Sequence, residues 1–185
     1  MSKKASPPRL TLGHSTLAAR DLDGLVAFYC DVLGFHVSNR GPVGENAEMA
    51  FLSQDPSCHH QIAMVSGAPV PERAFAMVDH LAFRTGTLDD LRALRAALVE
   101  AGVEGILPMC HGNAWSLYFT DPEGNGIECY VDTPFHVAQP QAKPYDLDQS
   151  DEEIVKTTRE QFGSEPEFRP MAEWQEEFAR LLERA

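Results

Sequence analysis

Glu128 is the residue that asks most of its surroundings. It interrupts an apolar run, Ile127 to Val131. A carboxylate turned towards a core costs several kcal/mol unless a cation sits against it. No lysine lies nearby in the sequence, and the best-placed partners are two histidines, His14 and His80, each amid apolar neighbours. Taken singly, either histidine reads as a hydrogen-bonded core residue. Two imidazoles and one carboxylate together are the 2-His-1-carboxylate donor set, which takes one face of an octahedral ion and leaves positions open for substrate, water or O2.

These three residues need strands to position them. The aromatic run Trp115 to Phe119 and the run Ile127 to Val131 flank Asp-Pro-Glu-Gly-Asn-Gly, and this predicts a hairpin carrying Tyr118 and Glu128. Leu10 to Ala18 alternates like a strand around His14. A helix is predicted from Asp21 through Val32, with Leu22, Leu25, Val26 and Tyr29 at helical spacing and Gly34 placed to stop it. Three short strand-like runs follow, at 35–38, 47–53 and 59–65.

After a Pro/Gly-rich linker at 67–73 the pattern restarts at Met77. Val78-Asp79-His80-Leu81-Ala82-Phe83 mirrors the stretch around His14, and Thr87-Leu88-Asp89-Asp90-Leu91 mirrors Asp21-Leu22-Asp23-Gly24-Leu25. Both alignments share one offset of 66, which indicates an internal duplication. The second copy continues with a helix from Leu88 to Ala101, capped by Gly102, and strand-like runs at 103–107, 115–119 and 127–131. The expected fold is α+β: two βαβββ units, 10–66 and 77–132, curling around one metal-binding cleft, with a domain spanning 10–134. Residues 1–9 read as a flexible N-terminus. Residues 135–185 read as an extension with helices at 152–162 and 171–182, the last bearing an apolar stripe (Trp174, Phe178, Leu181, Leu182) suited to packing.

The same offset predicts coordination number. It maps Glu128 onto Ile62, which binds no metal, so a fourth protein ligand is missing where symmetry would place it and the centre should be open. His60 shares strand parity with Ile62, and on that basis points into the cleft while His59 points away.

Bulk properties narrow the function. The 185 residues suffice for one domain with a sizeable core, and the formal net charge of −13 argues against nucleic-acid binding. No stretch approaches the roughly 20 apolar residues of a membrane span, and the polar opening Met-Ser-Lys-Lys-Ala-Ser-Pro-Pro lacks a secretory core, so a cytoplasmic protein is expected. Cys30, Cys58, Cys110 and Cys129 form no CxxC pairing and read as small buried residues rather than as a zinc site or disulfide framework.

From about Leu10 to Asp132 the chain resembles the vicinal oxygen chelate superfamily. Within it, the chain is similar to single-module type I extradiol ring-cleaving dioxygenases of the catechol 2,3-dioxygenase and 2,3-dihydroxybiphenyl 1,2-dioxygenase kind. The motifs that carry the likeness are the His14 strand, Val78 to Phe83, Cys58-His59-His60-Gln61-Ile62-Ala63, and Ser116 to Asn125 leading to Glu128. The resemblance implies a non-haem Fe(II), or Mn(II), held by His14, His80 and Glu128. It also implies His60 as acid-base catalyst, and Tyr118 and His111 as catalytic groups that hold the substrate. Trp115 and Phe119, with Met64 and Phe83, are candidates for the pocket lining. The implied partners are a catechol from aromatic catabolism and O2, with neither nucleic acid nor membrane, in a homo-oligomer. His36 reads as a surface residue, and His136 would reach the cleft only if the tail folds back. A glyoxalase-like lyase or isomerase, a metal-dependent resistance transferase and a drug-binding protein share the fold and remain alternatives.

Overall fold

A computed structural model describes residues 12–43, 45–67 and 79–184. The first nine residues, the start of the first predicted strand, and the linker with its restart at Met77 and Val78 lie outside the described residues.

The elements run β1 (Ser15–Ala19), α1 (Leu22–Asp31), β2 (His36–Val43), β3 (Ala47–Ser53), β4 (Ile62–Ser66), then β5 (His80–Arg84), α2 (Leu88–Glu100), β6 (Leu107–Cys110), β7 (Ala114–Thr120) and β8 (Gly126–Asp132). The extension adds β9 (Phe135–His136), β10 (Lys143–Pro144), α3 (Asp151–Phe162), β11 (Arg169–Pro170) and α4 (Met171–Arg184). One sheet has the order β1-β4-β3-β2 and the other β10-β6-β7-β8-β5. Apart from the added β10, the two orders are the same, with the first strand of each unit parallel to the last. The duplication is therefore present in topology. The two histidine-bearing segments begin at the outer strands β1 and β5.

Each helix starts where a side chain can satisfy the free N–H groups of its first turn. Asp21 accepts from the Gly24 N–H, and Thr87 and Asp90 form a reciprocal capping box. Gly34 and Gly102, at φ of 74° and 75°, end the helices in the left-handed region that favours glycine. The apolar faces of α1 (Leu22, Leu25, Val26, Tyr29) and α2 (Leu88, Leu91, Leu98) join Leu52, Met64, Leu117 and Ile127 in one core. Each such side chain contributes about 1.5–3 kcal/mol on burial.

The Asp-Pro-Glu-Gly-Asn turn does more than reverse the chain. Asp121 Oδ1 accepts from the N–H groups of Glu123 and Asn125, both at 2.9 Å, and shapes the loop. Glu123 Oε1 then reaches the first unit, where it accepts from the N–H groups of Arg20 and Asp21, both at 2.7 Å, at the start of α1. The Tyr29 hydroxyl donates to Asp121 Oδ2 at 3.4 Å. Burial first, and Asp121 second, push that phenol well above its usual range.

Several strand boundaries differ from those expected. Residues 59–61 precede β4, because Asp55 draws Ser57 into a turn (Oδ1 to N–H, 2.8 Å) and the Cys58 N–H donates to the Asp55 carbonyl at 3.0 Å. β6 begins only at Leu107, since Gly105 adopts φ 70° inside the predicted 103–107 run. β2 runs on to Val43 through Gly41 and Pro42, which the open edge of a sheet tolerates.

The register corrects the position paired with Glu128. Ser15 stands opposite Ile62 and Leu81 opposite Ile127, so the first strands are offset by 66 but the last strands by 65. Glu128, opposite Ala82, therefore corresponds to Ala63, opposite Thr16, and not to Ile62. The second unit is one residue shorter between its first and last strands. An aliphatic residue still occupies the mate position, but the parity argument that aimed His60 by way of Ile62 does not hold.

The extension docks on the second unit. β10 pairs with the β6 edge, and the Lys143 ammonium lies 4.4 Å from the centroid of the Phe162 ring. Trp115, in the core, donates its indole N–H to Thr158 Oγ1 of α3 at 2.8 Å, and Thr158 donates to the Ile154 carbonyl. Thr158→Val keeps the shape but strands the indole N–H in an apolar site, so it is expected to lower stability by about 1–3 kcal/mol in urea unfolding. An unchanged midpoint would mean that the contact carries no net stability.

Candidate metal centre

Alternation along β7 separates its residues into two groups. Ser116 and Tyr118 face one way, and Trp115, Leu117 and Phe119 enter the core on the other. Tyr118 lies directly opposite Glu128 on β8. The Ser116 hydroxyl donates to Glu128 Oε1 at 2.6 Å and the Tyr118 hydroxyl donates to the same oxygen at 2.8 Å. Glu128 is 8% exposed, and its second oxygen, Oε2, lies 3.1 Å from His80 Nε2.

His80 is oriented from behind. Its Nδ1 lies 2.7 Å from Asp79 Oδ2, and with the ring proton on Nδ1 the Nε2 lone pair is aimed at the carboxylate. Two lone pairs facing each other at 3.1 Å repel unless a proton or metal ion lies between them. Two donors each about 2.1 Å from one ion, at about 95° to each other, span that separation, which matches neighbouring corners of an octahedron. Gly126 makes the approach possible. It pairs with His80, and a Cβ there would stand 2.3 Å from the Asp79 carbonyl oxygen.

His111 extends the network outward. Its Nδ1 donates to the Gln141 carbonyl at 2.5 Å, and its Nε2 lies 2.9 Å from the Tyr118 hydroxyl. Tyr118 has one proton for two neighbours. The three groups thus form one hydrogen-bonded row from Glu128 through Tyr118 to His111. Burial, then the hydrogen bond from Tyr118 to Glu128, push the phenol above its usual range and keep it protonated.

The other predicted residues gather elsewhere. His14 directly precedes β1, and its ring lies 4.4 Å from that of His60. His60 in turn touches His59 (Nδ1 to Nδ1, 3.0 Å) and packs edge-on to Phe51 at 5.1 Å. Loss of solvent around the ring, with His14 and His59 close by, holds the His60 imidazole below its usual range. Among the described residues no three His, Cys, Asp or Glu side chains converge tightly enough to hold a metal ion. One copy of the chain therefore offers two donors that fit a metal ion, His80 and Glu128, with His14 apart from them.

The expected pocket lining also changes. Trp115 is bound to Thr158 in the core, Met64 is fully buried, and Phe83 packs edge-on to Phe35 at 5.6 Å. Phe119 belongs to the core and borders only a depression of about 300 Å³ beside His80 and Tyr118. The larger cavity at the site, about 520 Å³, has Glu128, Tyr118 and His111 on its sheet side and Met171, Trp174 and Gln175 of α4 across from them. His136 is buried on β9 and stacks on Trp174, while His36 is exposed. Asp79 and Ser116 escaped the sequence reading, although their positions beside His80 and two residues before Tyr118 could have revealed them. The cavity wall from α4 has no local signal.

Comparison with known proteins agrees with this architecture. The model of the Glyoxalase/Bleomycin resistance protein/Dioxygenase superfamily matches residues 11–129. The chain is 39% identical over 125 residues to biphenyl-2,3-diol 1,2-dioxygenase 3 of Rhodococcus globerulus, covering 65% of this chain and 63% of that protein. It is 32% identical over 131 residues to catechol-2,3-dioxygenase of Bacillus subtilis, covering 66% and 42%. The matches thus span less than two thirds of these relatives. Among solved structures, a glyoxylase/bleomycin resistance protein/dioxygenase domain from Frankia sp. EAN1pec superposes with a TM-score of 0.60 at 24% identity, over 70% of this chain and 96% of that one. The fosfomycin resistance protein FosX from Listeria monocytogenes, solved with Mn(II) and sulfate, superposes at 0.50 and 20% identity, over 72% and 95%. Sheet topology, internal duplication and the match over most of the chain together make this protein a member of the Glyoxalase/Bleomycin resistance protein/Dioxygenase superfamily.

Proposed function

We propose that this chain is an extradiol dioxygenase that opens the ring of a catechol-type aromatic beside its two hydroxyls and incorporates both atoms of O2. The observation that carries the reading is the setting of Glu128: one oxygen is held by two hydroxyls, and the other lies 3.1 Å from His80 Nε2. The proposed ligands are His80, Glu128 and His14, with Fe(II) the proposed metal and Mn(II) able to accept the same donors. When bound, the metal lowers the pKa of a coordinated hydroxyl and couples the aromatic to O2.

His14 must be brought to the pair, either by rearrangement of residues 12–14 or from another copy of the chain. His14 and His60 are neighbours, with ring centroids 4.4 Å apart, which supports their acting at one centre. His60 Nδ1 is engaged by His59, and the reading gives its Nε2 the proton that passes to the oxygen leaving as the O–O bond breaks. His111 and Tyr118, 2.9 Å apart, orient the catechol hydroxyl that loses its proton and help disperse its charge. The names of the relatives support an aromatic diol as substrate.

The test is anaerobic purification with metal analysis, followed by air and 2,3-dihydroxybiphenyl or 3-methylcatechol. A yellow ring-opened product with about one iron per chain is expected. Bound metal with no colour would shift the reading to a lyase or transferase. Ser116→Ala is expected to weaken metal binding by about 10–100-fold, measured by chelator competition, because Glu128 loses the 2.6 Å bond that orients it. Unaltered affinity would show that Tyr118 orients the carboxylate unaided.

A further inference from the structure

We propose that α4 builds the subsite for the ring substituent, and that Trp174, with Met171 beside it, supplies the surface on which an aromatic substituent packs. The proposal rests on the extradiol reading above. It concerns a segment beyond residue 129, where the family match ends.

Size gives the first argument. A cavity of roughly 150 Å³ suffices for a benzene ring. The space between Glu128, Tyr118 and His111 on the sheet and Met171 and Trp174 on α4 is about 520 Å³, enough for a catechol ring and a second ring against the helix. On the sheet side, Arg84 of β5 pairs with Asp132 of β8 at 3.3 Å and lies over the Tyr130 ring.

Trp174 is held by stacking: the indole lies nearly parallel to His136, at 4.9 Å and 11°, and to Phe178, at 5.1 Å and 8°. His136 is itself buried, with Nε2 3.2 Å from Glu167 Oε2. The half-buried indole borders the cavity, where a second ring can pack against it. An aromatic edge meets the face of a second ring favourably. α4 is anchored at its start, where β11 pairs with β9 and the Met171 N–H donates to the Pro134 carbonyl at 2.9 Å. Met171, a flexible thioether, fills the rest of the wall.

The test compares kcat and KM for 3-methylcatechol and 2,3-dihydroxybiphenyl in wild type, Trp174→Ala, Trp174→Phe and Met171→Ala. Trp174→Ala should raise KM for the biphenyl diol by roughly tenfold or more while leaving kcat and KM for 3-methylcatechol within about twofold, and Trp174→Phe should recover most of the loss. Equal losses on both substrates, or an unchanged ratio, would overturn the proposal. A second readout works without turnover: under argon, titration with 2,3-dihydroxybiphenyl should quench emission in the wild type more than in Trp174→Phe, where only the core Trp115 emits. If the wild type cleaves neither substrate but this quenching persists, the extradiol reading fails and the subsite stands. If quenching is the same in both proteins, the subsite fails.

Discussion

Glu128→Ala is expected to abolish both metal binding and ring cleavage. The side chain has three functions that alanine cannot share. It presents Oε2 to His80 Nε2 at 3.1 Å, supplies the negative charge of the proposed centre, and accepts the hydroxyls of Ser116 and Tyr118. Losing only a supporting partner of a metal ligand costs about 10–100-fold in affinity, and losing the ligand costs more, so the purified variant should carry almost no iron. Its fold should survive, because the vacated space opens to the cavity and water can satisfy the two hydroxyls. Glu128→Gln separates the effects: the amide oxygen can still accept both hydroxyls, but the charge is gone. Iron analysis and thermal unfolding on the three proteins decide the matter. Stoichiometric iron in Glu128→Ala would remove this residue from the ligand set.

His60→Phe should have the opposite signature, with metal and substrate retained and turnover lost. Phenylalanine keeps the planar ring that packs against His14 at 4.4 Å and Phe51 at 5.1 Å, so the loop before β4 has no reason to move. It removes the proton that the proposed mechanism needs as the O–O bond breaks, and general acid catalysis typically contributes about 10²–10⁴-fold. The measurement is single-turnover cleavage of 2,3-dihydroxybiphenyl, with iron content and anaerobic substrate affinity as controls. A variant that turns over at the wild-type rate would take the acid role from His60. One that loses iron would instead make it a structural support for His14.

Much of this architecture was legible because it repeats. The restart of the strand–helix pattern at an offset of 66 predicted two βαβββ units, and the two sheets share one strand order. The hairpin carrying Tyr118 and Glu128 was legible from turn residues that admit few alternatives, and the register sets the two residues opposite each other. The one-residue slip that exchanges Ile62 for Ala63 was hidden, because the shortening falls in loops where no apolar period marks the register. Trp115 and Phe119 read equally well as pocket lining or as core, because aromatic residues suit both, and only strand parity relative to Tyr118 separates the two uses. The position of α4 depends on contacts between residues far apart in sequence, such as His136 with Trp174, which no local pattern encodes.

Ala63 at the position matching Glu128 has an electrostatic consequence for the proposed centre. A divalent ion held by two neutral imidazoles and a single carboxylate keeps one unit of positive charge. That surplus draws in a catechol as it becomes an anion, which a second carboxylate at position 63 would cancel. The two halves of the repeat therefore divide the work unequally: one carries the counter-charge, and the other, by staying aliphatic, leaves the attraction for the substrate intact.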